Sequence, residues 1–311
     1  MRRRWSYLVD LSVKIGKLVL KNPIIPASGT FGYGEECAEL IDLNSLGGLV
    51  TKAITLHPRA GNPPPRIAET PAGMLNSIGL ANVGVERFIR EKLLFLNQFN
   101  TVILVNVAGS SIEEYIAVVE RLESAGGIDG YEINISCPNV KQGGMAFGTV
   151  EQSAYELTRS IRKLTARTVI VKLTPNVTEI GNIACAVEDA GADAVSLINT
   201  IRAMAIDIQT RKPRIATTYG GLSGPAIKPI ALAKVLETYQ RVKIPIIGMG
   251  GIMNGEDIIE FMLAGATAIQ IGTVNFVAPR ACFDMLQALE NYCIANRISR
   301  ISQLTGQLEV V

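Results

Sequence analysis

Cys137 ends a strand-like run, Gly130-Tyr-Glu-Ile-Asn-Ile-Ser-Cys-Pro-Asn139. Glu132, Ile133, Asn134 and Ile135 alternate polar and apolar, and Pro138 stops the strand because it lacks an N–H and fixes φ. The thiol is therefore presented at a strand tip. Beyond it, Gly143, Gly144 and Gly148 sit among polar residues, a composition for a mobile loop that folds over whatever lies at the tip. Most free cysteines are small buried hydrophobes that react with nothing. An asparagine just before Cys137 and a glycine-rich run just after are poor company for a core residue, so the position points to chemistry.

The other predicted strand ends carry Ser28, Lys52, Asn106, Asn134, Lys172, Asn199, Gly250 with Gly251, and Gly272 with Thr273. Any one of these reads as a solvated turn residue. As a set they read differently, because buried polar groups need partners and a bound polar ligand supplies them. Gly248-Met-Gly-Gly-Ile-Met-Asn254 and Gly272-Thr273 expose backbone N–H groups near helix starts, the usual phosphate position of α/β barrels, and Gly220-Gly-Leu-Ser-Gly-Pro225 adds a third glycine-rich edge. Lys172 offers a cation to an electron-rich ring. A flavin mononucleotide (FMN) fits both, with Asn106 and Asn134 reading the amide edge of the ring and Lys172 stabilising its negative charge when reduced.

Repeated strand–loop–helix units position these residues. Strands are predicted at Pro23 to Ala27, Gly48 to Lys52, Val102 to Asn106, Tyr131 to Ile135, Thr168 to Lys172, Ala194 to Ile198, Pro245 to Met249 and Ala268 to Ile271. They are short and nearly continuous in apolar character, as strands covered on both faces must be. Helical periodicity spans about Gly34 to Leu43, Val85 to Asn97, Ile112 to Ser124, Val150 to Ala166, Val177 to Ala190, Ala226 to Tyr239, Gly255 to Ala264 and Ala281 to Asn296. Ser111 before Glu113 and Glu114, Thr149 before Glu151, and Pro225 supply start signals. An N-terminal hairpin is expected over Leu11 to Leu20, turning near Gly16. The alternation predicts a (β/α)8 TIM barrel, a single domain over residues 1–311, with insertions at the C-terminal face of the strands. Those insertions are 53–84, 136–149 and 199–225. An open doubly wound sheet is the structural alternative, but Ala27-Ser-Gly-Thr-Phe-Gly-Tyr-Gly34 lacks the GxGxxG spacing after the first strand.

Composition narrows the function classes. With 30 basic and 28 acidic side chains the formal charge is +2, which announces no nucleic-acid surface. The short basic run Arg2, Arg3, Arg4 precedes Trp5 without the apolar region of a signal peptide, and no run of about 18 apolar residues exists. A cytoplasmic enzyme without membrane contact is expected. Five cysteines without CxxC spacing argue for a reducing compartment and against structural zinc or a cluster in this chain. His57 is the only histidine and lies in a proline-rich loop, so a multi-histidine metal centre is excluded and a catalytic role for it is not favoured. No metal site is expected.

At this point the residues resemble a family, the class 1 dihydroorotate dehydrogenases, and most closely the NAD-linked type B catalytic subunits, over nearly the whole chain. The resemblance rests on Asn22-Pro-Ile-Ile-Pro-Ala-Ser-Gly-Thr-Phe-Gly, Thr51-Lys-Ala-Ile-Thr, Asn76-Ser-Ile-Gly-Leu80, Asn134-Ile-Ser-Cys-Pro-Asn139, Ile198-Asn-Thr200, Gly220-Gly-Leu-Ser-Gly-Pro-Ala-Ile-Lys-Pro and Gly250-Gly-Ile. Each motif is weak alone; in order they are highly specific. The resemblance implies that Cys137 is the catalytic base, removing the C5 proton of dihydroorotate while the C6 hydride passes to the flavin. It implies FMN contacts at Ser28, Lys52, Ala53, Asn106, Asn134, Lys172, Ile198, Gly224, Gly250, Gly251, Gly272 and Thr273. It implies orotate contacts at Lys52, Asn76, Ser77, Ile78, Gly79, Leu80, Asn134, Asn199 and Thr200. It further implies de novo pyrimidine (UMP) biosynthesis and a partner subunit carrying FAD and a 2Fe-2S cluster, in a heterotetramer of two catalytic and two partner chains. One departure is Ala81, where the type B pattern often has glutamine.

The residue chemistry agrees with this resemblance. A carbon acid beside a carbonyl needs a base working near neutral pH, and a thiol of about 8.5 is nearer than a carboxylate of about 4. Amides and hydroxyls suit a flat ring of N–H and C=O groups, and lysine suits its carboxylate. The competing readings are a flavoprotein reducing uracil-type pyrimidines, a fumarate-linked homodimer with the same half-reaction, a non-redox phosphate-binding barrel, and a non-catalytic interaction module.

Overall fold

The computed structural model describes residues 9–136 and 147–309. At its start β1 (Val13–Ile15) and β2 (Leu18–Leu20) form the expected antiparallel hairpin around Gly16, whose φ of +56° is the left-handed value that a tight turn requires. The chain then lays down β3 (Ile24–Pro26), β4 (Gly48–Val50), β5 (Ile67–Thr70), β6 (Gly73–Asn76), β7 (Val102–Val107), β8 (Gly130–Asn134), β9 (Thr168–Lys172) and β10 (Ala194–Leu197). It continues with β11 (Ile201–Ala203), β12 (Ile206–Asp207), β13 (Lys212–Pro213), β14 (Gly220–Ser223), β15 (Ile246–Met249) and β16 (Ala268–Ile271). The helices are α1 (Val85–Arg87), leading through a π-turn at Phe88–Lys92 into α2 (Leu93–Leu96), then α3 (Ile112–Ala125) and α4 (Glu151–Leu164). They are followed by α5 (Ile180–Asp189), α6 (Lys228–Tyr239), α7 (Gly255–Leu263) and α8 (Ala281–Ala295).

Eight strands make one parallel sheet in the order β3-β16-β15-β10-β9-β8-β7-β4. Its two edges meet where the Gly47 N–H donates to the Ile24 carbonyl at 3.1 Å, so the sheet rolls into the expected barrel. β9, β10, β15 and β16 are buried at every position. Helices on the outside and packed side chains on the inside leave such strands no solvated face, which explains their predominantly apolar sequences.

Two expectations need correction. Residues 34–41 form successive turns rather than a helix, and only Leu43–Ser45 is a 3-10 turn, capped by Asp42. Gly32 and Gly34 take φ of +58° and +86°, and the Glu36 carboxylate accepts from the Tyr33 N–H, so side-chain and turn bonds replace the helical ladder. The segment predicted from Val177 starts its helix only at Ile180. Asn176 takes the reason: its amide bonds to Thr174 and to the Thr200 carbonyl, holding the approach in an irregular form. Ser111 caps α3 as expected, and Pro225 occupies the first turn leading into α6.

The insertions do something that local patterning does not show. β5 and β6 from the first pair with β14 and β11 from the third in a four-stranded antiparallel sheet, order β11-β14-β6-β5. Two excursions separated by more than a hundred residues thus become one wall over the strand C-termini. The second insertion lies largely outside the described residues.

The edge closure generates a prediction. A Cβ on Gly47 would stand 1.9 Å from the Asn22 carbonyl oxygen. Gly47→Ala should therefore cost about 1–3 kcal/mol by overpacking the seam, visible as a lower Tm in thermal unfolding; an unchanged Tm would show that the seam gives way freely.

Candidate active site

Five barrel strands and one loop each turn a polar side chain into the barrel mouth. Glu132 on β8, Asn106 on β7, Ser196 on β10 and Gln270 on β16 are fully buried, and Lys172 on β9 and Ser28 after β3 nearly so. Register sets Asn106 beside Glu132 and Ser196 beside Lys172. The Glu132 carboxylate is the hub. Asn106 Nδ2 donates to its Oε2 at 2.5 Å, while Ser196 Oγ and Gln270 Nε2 donate to Oε1 at 2.8 and 2.5 Å. Lys172 Nζ lies 3.6 Å from Oε2 and 3.5 Å from Ser28 Oγ. Opposite charges this deep persist only when paired and hydrogen-bonded. Asn106 Oδ1 and Gln270 Oε1 are buried without a donor among the described residues. Asn106 and Lys172, which sequence analysis set at strand tips facing a ligand, thus form the floor of the mouth with residues below them.

Above this floor the residues are half-buried. Asn134 and Asn199 meet, the Asn199 amide reaching Asn134 Oδ1 at 3.5 Å, and the Tyr115 hydroxyl holds the Asn134 carbonyl at 2.7 Å. The two-insertion sheet brings the Asn76 to Leu80 stretch alongside. Asn76 stands opposite Gly221, and its amide donates to the Gly221 carbonyl at 3.3 Å; a Cβ on Gly221 would be 2.0 Å from Thr200 Oγ1. Asn76 and Thr200 therefore flank a strand that must be glycine. Ser77 Oγ accepts from Asn62 Nδ2 at 2.8 Å and from Thr217 Oγ1 at 2.7 Å, and Asn82 Nδ2 donates to the Leu80 carbonyl at 2.7 Å. Gly79 and Leu80 both take positive φ, +71° and +54°, so the loop is held in a shape that Leu80 would not adopt alone. Lys52 is half-buried and is in no ion pair among the described residues; its N–H donates to the Gly32 carbonyl at 2.8 Å, and Ala53 follows it.

The glycine edges converge on one side. Thr273 Oγ1 donates to Ser223 Oγ at 2.8 Å, joining the end of β16 to β14. A Cβ on Gly251 would meet the Lys228 N at 2.7 Å and the Gly224 carbonyl oxygen at 2.9 Å, and one on Gly250 would meet Ile198 at 3.1 Å. Gly272 has only Ala27 and Thr30 at 3.8 and 4.0 Å from such a Cβ, and Gly29 has nothing within 4 Å. Backbone therefore lines an open edge, as an anion cradle requires.

Cys137 lies outside the described residues. The other cysteines are elsewhere and differ in chemistry: burial pushes the Cys282 thiol up to about 12 and raises those of Cys37 and Cys293. Cys185 sits on α5 with its Sγ 3.7 Å from the Arg241 carbonyl. Sequence reasoning missed Glu132, Ser196 and Gln270 as site residues, together with the braces Asn62, Asn82 and Thr217. The signal for the first three was a polar residue inside a strand buried at every neighbouring position.

The family model described as dihydroorotate dehydrogenase matches residues 10–292. The protein of Thermoanaerobacter sp. (strain X514) named dihydroorotate dehydrogenase B (NAD(+)), catalytic subunit, is 53% identical over 302 residues, covering 97% of this chain and all (100%) of that protein. The protein of the same name from Geotalea uraniireducens (strain Rf4) is 52% identical over 299 residues, covering 96% and 98%. Among solved structures, dihydroorotate dehydrogenase of Eimeria tenella in complex with ferulenol superposes with a TM-score of 0.80 at 21% identity, covering 96% of this chain and 88% of that one, and agrees in fold.

A raised thiol pKa keeps a cysteine protonated and slow to react. Brief iodoacetamide treatment at pH 8 should leave Cys282 and Cys293 unmodified in native protein, with all five cysteines alkylated after unfolding. Peptide mapping reads the outcome, and rapid native labelling of Cys282 would contradict its burial.

Proposed function

The chain belongs to the dihydroorotate dehydrogenase family, and we propose that it is the catalytic chain of an NAD-linked enzyme oxidising dihydroorotate to orotate in pyrimidine biosynthesis. The observation that carries this reading is the meeting, at one barrel mouth, of a buried ammonium on Lys172, an open glycine-lined edge and a wall of amides and hydroxyls. FMN fits these residues. The open edge at Gly272 and Thr273, closed on the other side by Gly224, Gly250 and Gly251, suits a phosphate held by backbone N–H groups. Lys172 and Ser28 lie where a ring entering from that edge finds a cation and a hydroxyl, and the unpaired Asn106 Oδ1 is an acceptor for an N–H. Bound FMN supplies the acceptor for the hydride that leaves C6 of the substrate.

The chain's own groups do the rest. Asn76, Ser77, Asn134, Asn199 and Thr200 bind the N–H and C=O groups of the substrate ring, and the backbone of Ile78, Gly79 and Leu80 sets their spacing. Lys52, without a carboxylate partner among the described residues, pairs with the substrate carboxylate. Cys137, which lies outside the described residues, takes the C5 proton on its sulfur. Electrons leave through a partner subunit carrying FAD and a 2Fe-2S cluster, two catalytic chains with two partner chains. No described helix is long and apolar enough to cross a membrane, in keeping with a cytoplasmic assembly.

Two measurements test this. Cys137→Ala should retain FMN yet slow its bleaching by dihydroorotate about 10²–10⁴-fold, the range of a lost general base. Cys137→Ser should keep some activity with its optimum moved to higher pH, and stopped-flow reduction of Cys137→Ala at the unmutated rate would sink the assignment. The partner-free chain, loaded with FMN, should reduce small dyes quickly and NAD slowly. Rapid NAD reduction would remove the need for a partner, and rapid turnover with fumarate would identify a homodimeric enzyme instead.

A further inference from the structure

We infer that Glu132 is a positioning residue that sets how much of the Lys172 charge the bound flavin feels, an inference that rests on the FMN reading above. The two charges are 3.6 Å apart in a mouth from which solvent is nearly absent, so the carboxylate offsets the field of the ammonium on anything bound above it. Glu132 is itself immobilised. Its Oε1 is held by Ser196 and Gln270 and its Oε2 by Asn106, from three different strands, so it is a fixed counter-charge rather than a wandering one. Lys172 has one further anchor, Ser28 Oγ at 3.5 Å, and thus sits between a permanent anion below and the ligand position beside Ser28. A purely structural barrel would gain from an apolar layer here, because a buried ion pair is commonly no more stabilising than well-packed hydrophobes. Its presence under a redox group makes sense as control of that group's electron affinity.

The test is spectroelectrochemical titration of the FMN-loaded chain. In Glu132→Gln the new N–H groups find an acceptor, since flipping the Gln270 amide turns its orphaned oxygen toward them. Removing the carboxylate should unmask Lys172, stabilise the anionic reduced flavin and move the midpoint potential to more positive values. Lys172→Met should move it to more negative values, and adding Glu132→Gln to Lys172→Met should move it back up, because the fields of the two charges add at the flavin. A potential unmoved or lowered in Glu132→Gln overturns the inference. Should Glu132→Gln not fold, Ser196→Ala replaces it. Deleting that donor to Oε1 draws carboxylate charge toward Lys172 and should lower the potential, and no change would overturn the proposal equally. Failure of the unmutated chain to bind FMN overturns the reading beneath it, an outcome distinct from bound flavin with an unmoved potential.

Discussion

A carboxylate and an ammonium removed from water together are tolerable only if every lone pair and proton is met, and the Glu132–Lys172 pair forces that condition on the barrel mouth. Four strands answer it, with Asn106, Ser196 and Gln270 converging on one carboxylate and Lys172 completing the set. The demand fixes register. Sliding β7 against β8 by one residue would turn Asn106 out of the lumen and leave Glu132 short of a donor, so hydrogen bonding and strand pairing specify the same arrangement. Outside this layer the barrel is mostly apolar, and burial of Val, Ile and Leu supplies the bulk of its cohesion.

The substrate wall depends on a different device. Loops over a barrel mouth would each have to order themselves at a full entropic cost; here the first and third insertions share one sheet and stabilise each other. Gly73 and Gly224 approach so closely that a Cβ on Gly224 would lie 2.6 Å from the Gly73 Cα. The glycines of the third insertion therefore serve two purposes. They let the sheet pass beside Thr200, and they leave backbone near the anion edge that Ser223 and Thr273 join.

Much of this was legible in the chain. Eight short, mostly apolar strands alternating with helices, the hairpin at Gly16, the Ser111 cap and the barrel itself follow from periodicity and punctuation, because double-sided burial leaves few alternatives to a closed parallel sheet. Part of the mouth was legible too, Ser28, Asn106 and Lys172 among them, since strand ends of a barrel share one face, but Glu132, Ser196 and Gln270 inside the strands were not. Local patterning failed at residues 34–41, where helical spacing of apolar residues was overruled by positive-φ glycines and a Glu36 side-chain bond.

What the sequence by itself determined is therefore the element order, the barrel and some of the polar groups at its mouth. These depend on interactions between near neighbours and on the sidedness of single elements. Only the tertiary structure decided which groups face each other: that Glu132 lies under Lys172, that Asn106 gives its amide to Glu132, and that Asn76 and Thr200 both stand against Gly221. The physical reason is that parallel register and the pairing of two distant insertions are set by loop closure and burial across the whole chain, and no local stretch encodes either alone.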